Sequence, residues 1–404
     1  MPCICDWDKY IATRLLDKHA VCHLGSTVGY GFEDRLKVFQ DRLKQGAHNL
    51  LVNCAKCTSR NTLLIIRETD DIGCYDLDLC TAIQSAAEDL GLFIQIYVVP
   101  LSRGVTGPSE DLDCTMQNTD CTVFLSRLGD QIRFCPKNSP NTQIIIYALD
   151  CGMLASPFGT IDYQAFEALK GLANAAIFQA SDIRVTCPAG TNFGGATFTM
   201  PGMAQDTTLK RFPASVFAPI LGKGFCGRIA QKKFLSGTGS QYYTPCACEL
   251  KETLFVNFED TRITGFDGSA NDIAAAKAHY EFVGQKFGID TYYLHSWHAG
   301  IHPGCEYKDP VWKHFERRGG VAFSNPRILH FHTCGAYPPG EIYFNVLDAK
   351  VCVDGIAVWE DGELYVSRIA GGEELLDGCP DMRTIFENPA TQVGQAASGQ
   401  LMYA

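Results

Sequence analysis

The sequence lacks any apolar run that approaches the roughly 20 residues needed to span a membrane. It also lacks a secretory signal, because the N-terminal stretch MPCICDWDKYIATRLLDK carries early charges and has no apolar core followed by small residues. These absences argue against a membrane protein and against export. We therefore expect a cytoplasmic globular protein with no membrane partner.

Positive charge is also in short supply. The chain has 34 lysines and arginines against 45 aspartates and glutamates, which gives a formal net charge of −11. Such a surface repels phosphate backbones and anionic lipid. We expect no nucleic-acid partner, and a small molecule is the expected ligand.

The 19 cysteines lack the spacing of a zinc knuckle. Cys54 and Cys57 form a Cys-x-x-Cys pair, but no second pair exists to complete a four-sulfur site. A disulfide framework is typical of short secreted chains, whereas this chain has 404 residues and no export signal. Reduced, mostly buried thiols are therefore expected.

The first half of the chain lacks a glycine-rich dinucleotide motif, because its first strand-like run is followed by Thr69, Asp70 and Asp71. Apolar, β-branched runs nevertheless alternate there with a segment of helical period. The runs cover 61–69, 92–100, 120–128 and 142–150, and the helical segment covers 77–91. Runs buried on both faces indicate a parallel sheet covered by helices. We predict an N-terminal Rossmann-like domain over residues 1–175.

The second half has short strands with turn signals, such as Asp354-Gly355 and Asp361-Gly362, and a helical segment at 271–288. This pattern predicts a C-terminal mixed α+β domain over residues 176–404. The fold class is therefore α/β, with a Rossmann-like parallel-sheet domain followed by an α+β domain that carries a metal site.

Histidine is scarce but concentrated, since six of the ten histidines fall between His295 and His332. Either a metal site or an aromatic-rich core explains the cluster, and Trp297 and Phe331 show that the region is aromatic. Gly300, Pro303 and Gly304 disfavour a helix, so His298 and His302 are expected on a turn.

The stretch ILHFH reads as a strand, and its period of two puts His330 and His332 on one face. Glu341, Tyr343 and Asn345 share a face of the next strand-like run by the same rule. Two imidazoles and one carboxylate with open positions are typical of non-heme iron sites, whereas zinc hydrolases more often have four ligands including one water. A one-residue register shift exchanges the faces, so the choice between His330 and His332 as ligand stays open.

Five segments in order resemble the thermophilic aminopeptidases and their relatives, the 2,5-dihydroxypyridine ring-cleaving dioxygenases. The segments are DIRVTCPAGTNF, RFPASVFAPILGKGFCGRI, WHAGIHPG, ILHFHTCG and VCVDGIAVWEDGEL, and the match spans about residues 45 to 365. Two metal-binding glutamates of the peptidases are replaced here by Ser215 and His298, and their late His-x-Asp pair has no intact counterpart. The resemblance therefore implies one metal ion rather than two.

The dioxygenase branch holds one iron through two histidines and one carboxylate. The resemblance implies such a set from His298, His330 or His332, and Glu341, with Fe(II) as cofactor and O2 as co-substrate. Tyr343 is the candidate catalytic side chain. Candidate apolar walls for the substrate are Ile342 and Phe344.

The implied substrate is a small chelating molecule, either a hydroxylated aromatic ring or a small amino acid in secondary metabolism. A zinc- or cobalt-dependent hydrolase and a catalytically inactive scaffold remain alternatives. Family members associate as dimers, so the resemblance implies a homodimer.

Overall fold

The structure is a computed structural model that describes residues 32–69, 73–100, 107–136, 140–197, 206–237, 242–337 and 339–395. Residues 1–31 and 396–404, which belong to the two predicted domains, lie outside the described residues. Among the described residues, no helix combines the length and apolar character required to cross a bilayer.

A parallel sheet of five strands forms the first half of the molecule, in the order β2-β1-β3-β4-β7. Its strands are β1 (Thr62–Glu68), β2 (Phe93–Val99), β3 (Cys121–Leu125), β4 (Thr142–Ile146) and β7 (Lys210–Phe212). The inner strand β3 is buried throughout, which is why its sequence is continuously apolar rather than alternating. The predicted α/β class with a parallel N-terminal sheet is confirmed.

Helices cover this sheet and connect its strands. They are α1 (Phe32–His48), which continues into a π-helical turn (Asn49–Cys54), α2 (Leu77–Asp89), α3 (Glu110–Gln117), α4 (Arg127–Ile132), α5 (Cys151–Ala155), α6 (Pro157–Thr160) and α7 (Tyr163–Phe178). The segment of helical period at 77–91 thus forms α2. Its buried side chains, among them Leu79 and Ile83, recur at helical spacing and pack into the main core.

Two antiparallel sheets form the second half. One has six strands in the order β11-β10-β16-β15-β14-β8. These are β8 (Ile220–Leu221), β10 (Phe234–Gly237), β11 (Ala247–Glu249), β14 (Leu294–Ala299), β15 (Ile328–Thr333) and β16 (Ile342–Leu347). This sheet carries the histidine-rich segments, and we call it the histidine sheet.

The other antiparallel sheet has eight strands in the order β13-β12-β9-β6-β5-β17-β18-β19. They are β5 (Ile183–Thr186), β6 (Asn192–Gly195), β9 (Phe225–Gln231), β12 (Leu254–Glu259), β13 (Arg262–Asp267), β17 (Lys350–Val353), β18 (Ile356–Glu360) and β19 (Glu363–Leu364). The predicted hairpins are present, with Asp354 and Gly355 at positive φ between β17 and β18.

The helices of the second half are α8 (Ala270–Phe287), α9 (Phe315–Val321), α10 (Gly372–Gly378) and α11 (Pro380–Glu387), with short 3-10 turns at Val311–Lys313, Ala322–Ser324 and Val366–Arg368. The Ser269 side chain caps the N-terminus of α8, and Gly288 ends that helix in the left-handed conformation. The predicted helix at 271–288 is therefore displaced by one residue.

The domain division at residue 175 stays a prediction. Two features of the described structure cross it: α7 runs from Tyr163 to Phe178, and β7 adds residues 210–212 to the parallel sheet. The second feature brings a segment of the C-terminal half into the N-terminal sheet, and it places Arg211 beside the histidine sheet.

Candidate metal centre

Strand register brings three histidines to one face of the histidine sheet. His298 of β14 lies opposite His330 of β15, which lies opposite Asn345 of β16. His332 occupies the next position on the same face, two residues after His330. The turn predicted around His298 is wrong, because β14 pairs with β15 as far as Ala299. On its other side β14 pairs with β8 at Ser296 and Trp297.

The three imidazoles approach closely enough to share one ion. One ring nitrogen from each of His298, His330 and His332 lies within 4.8 Å of the other two. The Nε2 atoms of His298 and His332 are 3.4 Å apart. In the described part of the chain, this is the one group of three or more histidine, cysteine or acidic side chains with such spacing.

Two of the imidazoles are oriented through their other nitrogen. Nδ1 of His330 lies 2.9 Å from Oδ1 of Asn345, and Nδ1 of His332 lies 3.0 Å from Oε1 of Glu341. Since amide and carboxylate oxygens accept hydrogen bonds, both rings carry their proton on Nδ1 and leave a lone pair on Nε2. Such outer partners are typical of metal-binding histidines.

Glu341, predicted above as a ligand, lies outside the group of three. Its Oε1 accepts from His332, and its Oε2 lies 3.2 Å from Nη2 of Arg133. Both oxygens therefore face protein donors. The structure thus places Glu341 behind the imidazole of His332, and the three side chains with mutually close nitrogens are histidines. Glu341 as a ligand stays a prediction.

Burial disfavours the charged form of two of the three imidazoles. It lowers the pKa of His298 and of His330 well below the usual 6.5, and the neighbouring imidazoles lower both further. Three arginines add to the effect, Arg133 and Arg211 on His298 and Arg318 on His330. Neutral imidazole is the form that binds metal.

The residues present fit a transition-metal ion. Their close nitrogens include Nε2 of His298 and Nε2 of His332, whereas Nδ1 of His298 is buried without a hydrogen-bond partner, so this ring lacks the outer partner that the other two have. Imidazole donors suit zinc, iron, copper or nickel. The arrangement favours the metal interpretation over an aromatic core that happens to contain histidines.

A narrow cavity, partly open to solvent, lies against this cluster. Its walls come from both halves of the molecule, since the parallel-sheet side contributes charged groups and the histidine sheet contributes the imidazoles. The lining residues include Asp130, Arg133, Phe134, Tyr147, Arg211, Pro219, His295, His298, Gly319, Gly320, Phe323, His330, His332 and Glu341.

The remaining predicted site residues lie away from the cavity. Ile342 and Phe344 alternate with Tyr343 along β16, so they face the opposite side of the sheet, where both are fully buried in the main core. The structure does not bring them to the histidines as substrate walls. The Tyr343 ring stacks on His330 with centroids 4.7 Å apart, and its catalytic role stays a prediction.

The other histidines of the cluster have separate environments. His295 lines the cavity without belonging to the group of three, and its Nδ1 lies 3.0 Å from the Ser296 hydroxyl. His302 stacks on Phe166 with centroids 3.7 Å apart. The His314 side chain accepts a hydrogen bond from the backbone of Arg317 and so caps α9, rather than lying on an exposed helical face.

Sequence reasoning missed the contribution of the first half of the chain. Arg133 follows α4, Tyr147 follows β4 and Arg211 lies on β7, so the three are far apart along the sequence. No local motif marks any of them. Only the packing of the two sheets brings them to one cavity.

The fold is similar to that of 2,5-dihydroxypyridine dioxygenase from Pseudomonas putida KT2440, with a TM-score of 0.56 and 14% identity over 81% of this chain and 97% of that chain. AmpT from Thermus thermophilus is also similar, with a TM-score of 0.45 and 10% identity over 81% of this chain and 100% of that chain. No protein-family model matches the chain, and no curated protein matches its sequence. The resemblance predicted from the five segments is confirmed at the level of fold.

The position of Glu341 leads to a prediction about metal affinity. Glu341→Ala removes the partner that orients His332, so we expect metal affinity to fall about 10- to 100-fold without being abolished. Glu341→Gln keeps an acceptor oxygen for His332, so its metal affinity should fall less than that of Glu341→Ala. Competition with a chelator of known affinity measures both.

Asp130→Asn is the matched control, because Asp130 is the other carboxylate paired with Arg133, at 2.9 Å, and it belongs to no imidazole. Metal affinity should be unchanged in that variant. If Glu341→Ala instead loses metal as completely as a histidine variant does, Glu341 is a ligand.

Proposed function

We propose that this protein is a mononuclear non-heme iron oxygenase that acts on a small chelating substrate. The observation that carries the proposal is the convergence of three imidazoles, two of them oriented by outer partners, on one side of a cavity. The fold supports the oxygenase class, since the similar structure from Pseudomonas putida is a 2,5-dihydroxypyridine dioxygenase by its name.

Different residues of the site would bind the ion and orient its ligands. His298, His330 and His332 would hold the ion, while Asn345 and Glu341 keep two of the rings aimed at it. When bound, ferrous iron supplies the one-electron chemistry that lets dioxygen react with an organic molecule. Three protein ligands leave coordination positions for other molecules.

The substrate walls differ from those predicted. Phe134, Pro219 and Phe323 line the cavity and provide apolar surface against which a hydroxylated ring or a small amino acid would pack. Phe323 lies edge-on to His298 with centroids 5.8 Å apart, so a molecule held by the histidines would contact it. These residues replace Ile342 and Phe344 as candidate substrate contacts.

A zinc-dependent hydrolase is the second candidate, and the donor set itself favours it. Three histidines with one open position are also the ligands of catalytic zinc in carbonic anhydrase, where the metal lowers the pKa of a bound water. Such an enzyme needs no dioxygen, and that difference separates the two candidates.

The test combines metal analysis with oxygen uptake. Protein purified anaerobically without added metal is analysed for bound metals, then loaded with Fe(II) or Zn(II) and offered 2,5-dihydroxypyridine and small amino acids. We expect the iron form alone to consume dioxygen, and only with a chelating substrate present. Hydrolysis of an amide or ester by the zinc form, with no oxygen uptake by the iron form, would reject the oxygenase in favour of the hydrolase.

A further inference from the structure

Two arginines from the parallel-sheet side line the cavity opposite the histidines. Arg133 is engaged by two carboxylates, Asp130 at 2.9 Å and Glu341 at 3.2 Å. Its charge is therefore more than balanced by the protein. The charge of Arg211 is less fully balanced by carboxylates, and its surroundings suggest a role in ligand recognition.

Arg211 shares its one carboxylate partner with another cation. Its Nη1 lies 2.8 Å from Asp206, and the same carboxylate pairs with Lys170. Nε of Arg211 is buried and has no hydrogen-bond partner, although the side chain is only 9% exposed and lines the cavity. Because the accessible area of Nε is negligible, the part of the guanidinium that a ligand in the cavity would meet is its outer edge.

The charges around the cavity also require an anion once a metal is bound. The group of Arg133, Asp130 and Glu341 carries one net negative charge, and the group of Arg211, Lys170 and Asp206 carries one net positive charge. These cancel. The buried Arg318, which also acts on His330, adds a positive charge, and imidazoles do not offset a divalent ion, so positive charge is left for the ligand to neutralise.

We propose that the substrate carries a carboxylate that pairs with Arg211 while the rest of the molecule lies against the three histidines. This inference rests on the proposed metal site and adds the substrate class to it. The guanidinium fork matches a planar carboxylate better than a neutral amide, which offers the same shape without the charge. Tyr147 hydrogen-bonds Arg211 from the same wall and holds it in place.

The test compares an acid with its neutral amide. Zinc-loaded protein, in which no oxidation occurs, is titrated calorimetrically with 3,4-dihydroxybenzoate and with 3,4-dihydroxybenzamide, which share the chelating catechol. We expect the acid to bind at least about tenfold more tightly. In Arg211→Gln the ratio should fall to about one, with zinc content and amide affinity unchanged, a result that a merely structural Arg211 would not produce.

A second variant guards against misfolding of Arg211→Gln. Asp206→Asn keeps Arg211 and removes its competing carboxylate, so the preference for the acid should increase. Equal affinities in the wild type, or a preference that Asp206→Asn leaves unchanged or lowers, would overturn the inference. Failure of the wild type to retain zinc would instead reject the proposed metal site, so the two failures are distinguishable.

Discussion

His298→Ala protein should retain less than about a tenth of the metal that the wild type binds, and His330→Ala and His332→Ala should behave alike. Loss of an outer partner already costs 10- to 100-fold in affinity, so loss of one of three protein ligands should cost more. Metal content after dialysis against a weak chelator measures the effect. Oxygen uptake should disappear in parallel.

Two other histidines provide matched controls for these variants. His295→Gln changes a histidine that lines the same cavity but lies outside the group of three, and His302→Phe changes a buried histidine stacked on Phe166. Both should keep the wild-type metal content. Metal retention by all three ligand variants would show that the ion binds elsewhere, and the proposed centre would be wrong.

Arg127→Met should lower the free energy of unfolding by about 3 to 5 kcal/mol. Arg127 is paired with Glu68 at the end of β1 and with Glu316 on α9, and the three side chains are 7%, 8% and 10% exposed. Removing the arginine takes from two buried carboxylates the cation that both share. Denaturant unfolding monitored by circular dichroism measures the loss.

Two further variants separate this mechanism from a general loss of packing. In the triple variant Glu68→Leu, Arg127→Met, Glu316→Met the uncompensated charges are gone, so most of the stability should return. Arg383→Met removes a solvent-exposed arginine and should change stability little. A triple variant as unstable as Arg127→Met would mean that the buried carboxylates are not the cause.

The ion pairs of Arg127 also contact a helix that lines the candidate metal centre. Glu316 lies on α9, and the glycines Gly319 and Gly320 of that helix line the cavity. Arg127 thus connects the carboxyl ends of the parallel strands to a wall of the candidate metal centre. We therefore also expect Arg127→Met protein to bind 3,4-dihydroxybenzoate more weakly than the wild type does.

The elements that were predicted well are those with strong local periodicity. The apolar strands of the parallel sheet were recognised because burial on both faces leaves few polar positions, as in β1, β3 and β4. Burial on both faces was wrong for β2, an edge strand in which Phe93, Ile96 and Val98 are exposed. The placement of His330 and His332 on one face followed from the alternation of side chains along a strand. Local pattern was sufficient in both cases.

The ligand set was harder to predict, because it depends on neighbours across the sheet. His298 was expected on a turn, yet pairing of β14 with β15 and β8 makes it a strand residue opposite His330. Glu341 precedes β16, and its carboxylate is directed to His332 and Arg133 by the loop before that strand. Neither contact has a signature along the chain.

Residue order alone was enough to establish the parallel sheet, the concentration of imidazoles and their shared face, since each depends on spacing within a few residues. Tertiary structure decided which histidines converge, that Glu341 supports one of them, and that Arg133 and Arg211 complete the cavity. The physical reason is distance: hydrophobic periodicity is a local property, whereas coordination and charge balance depend on side chains that only the packing of separate sheets brings together.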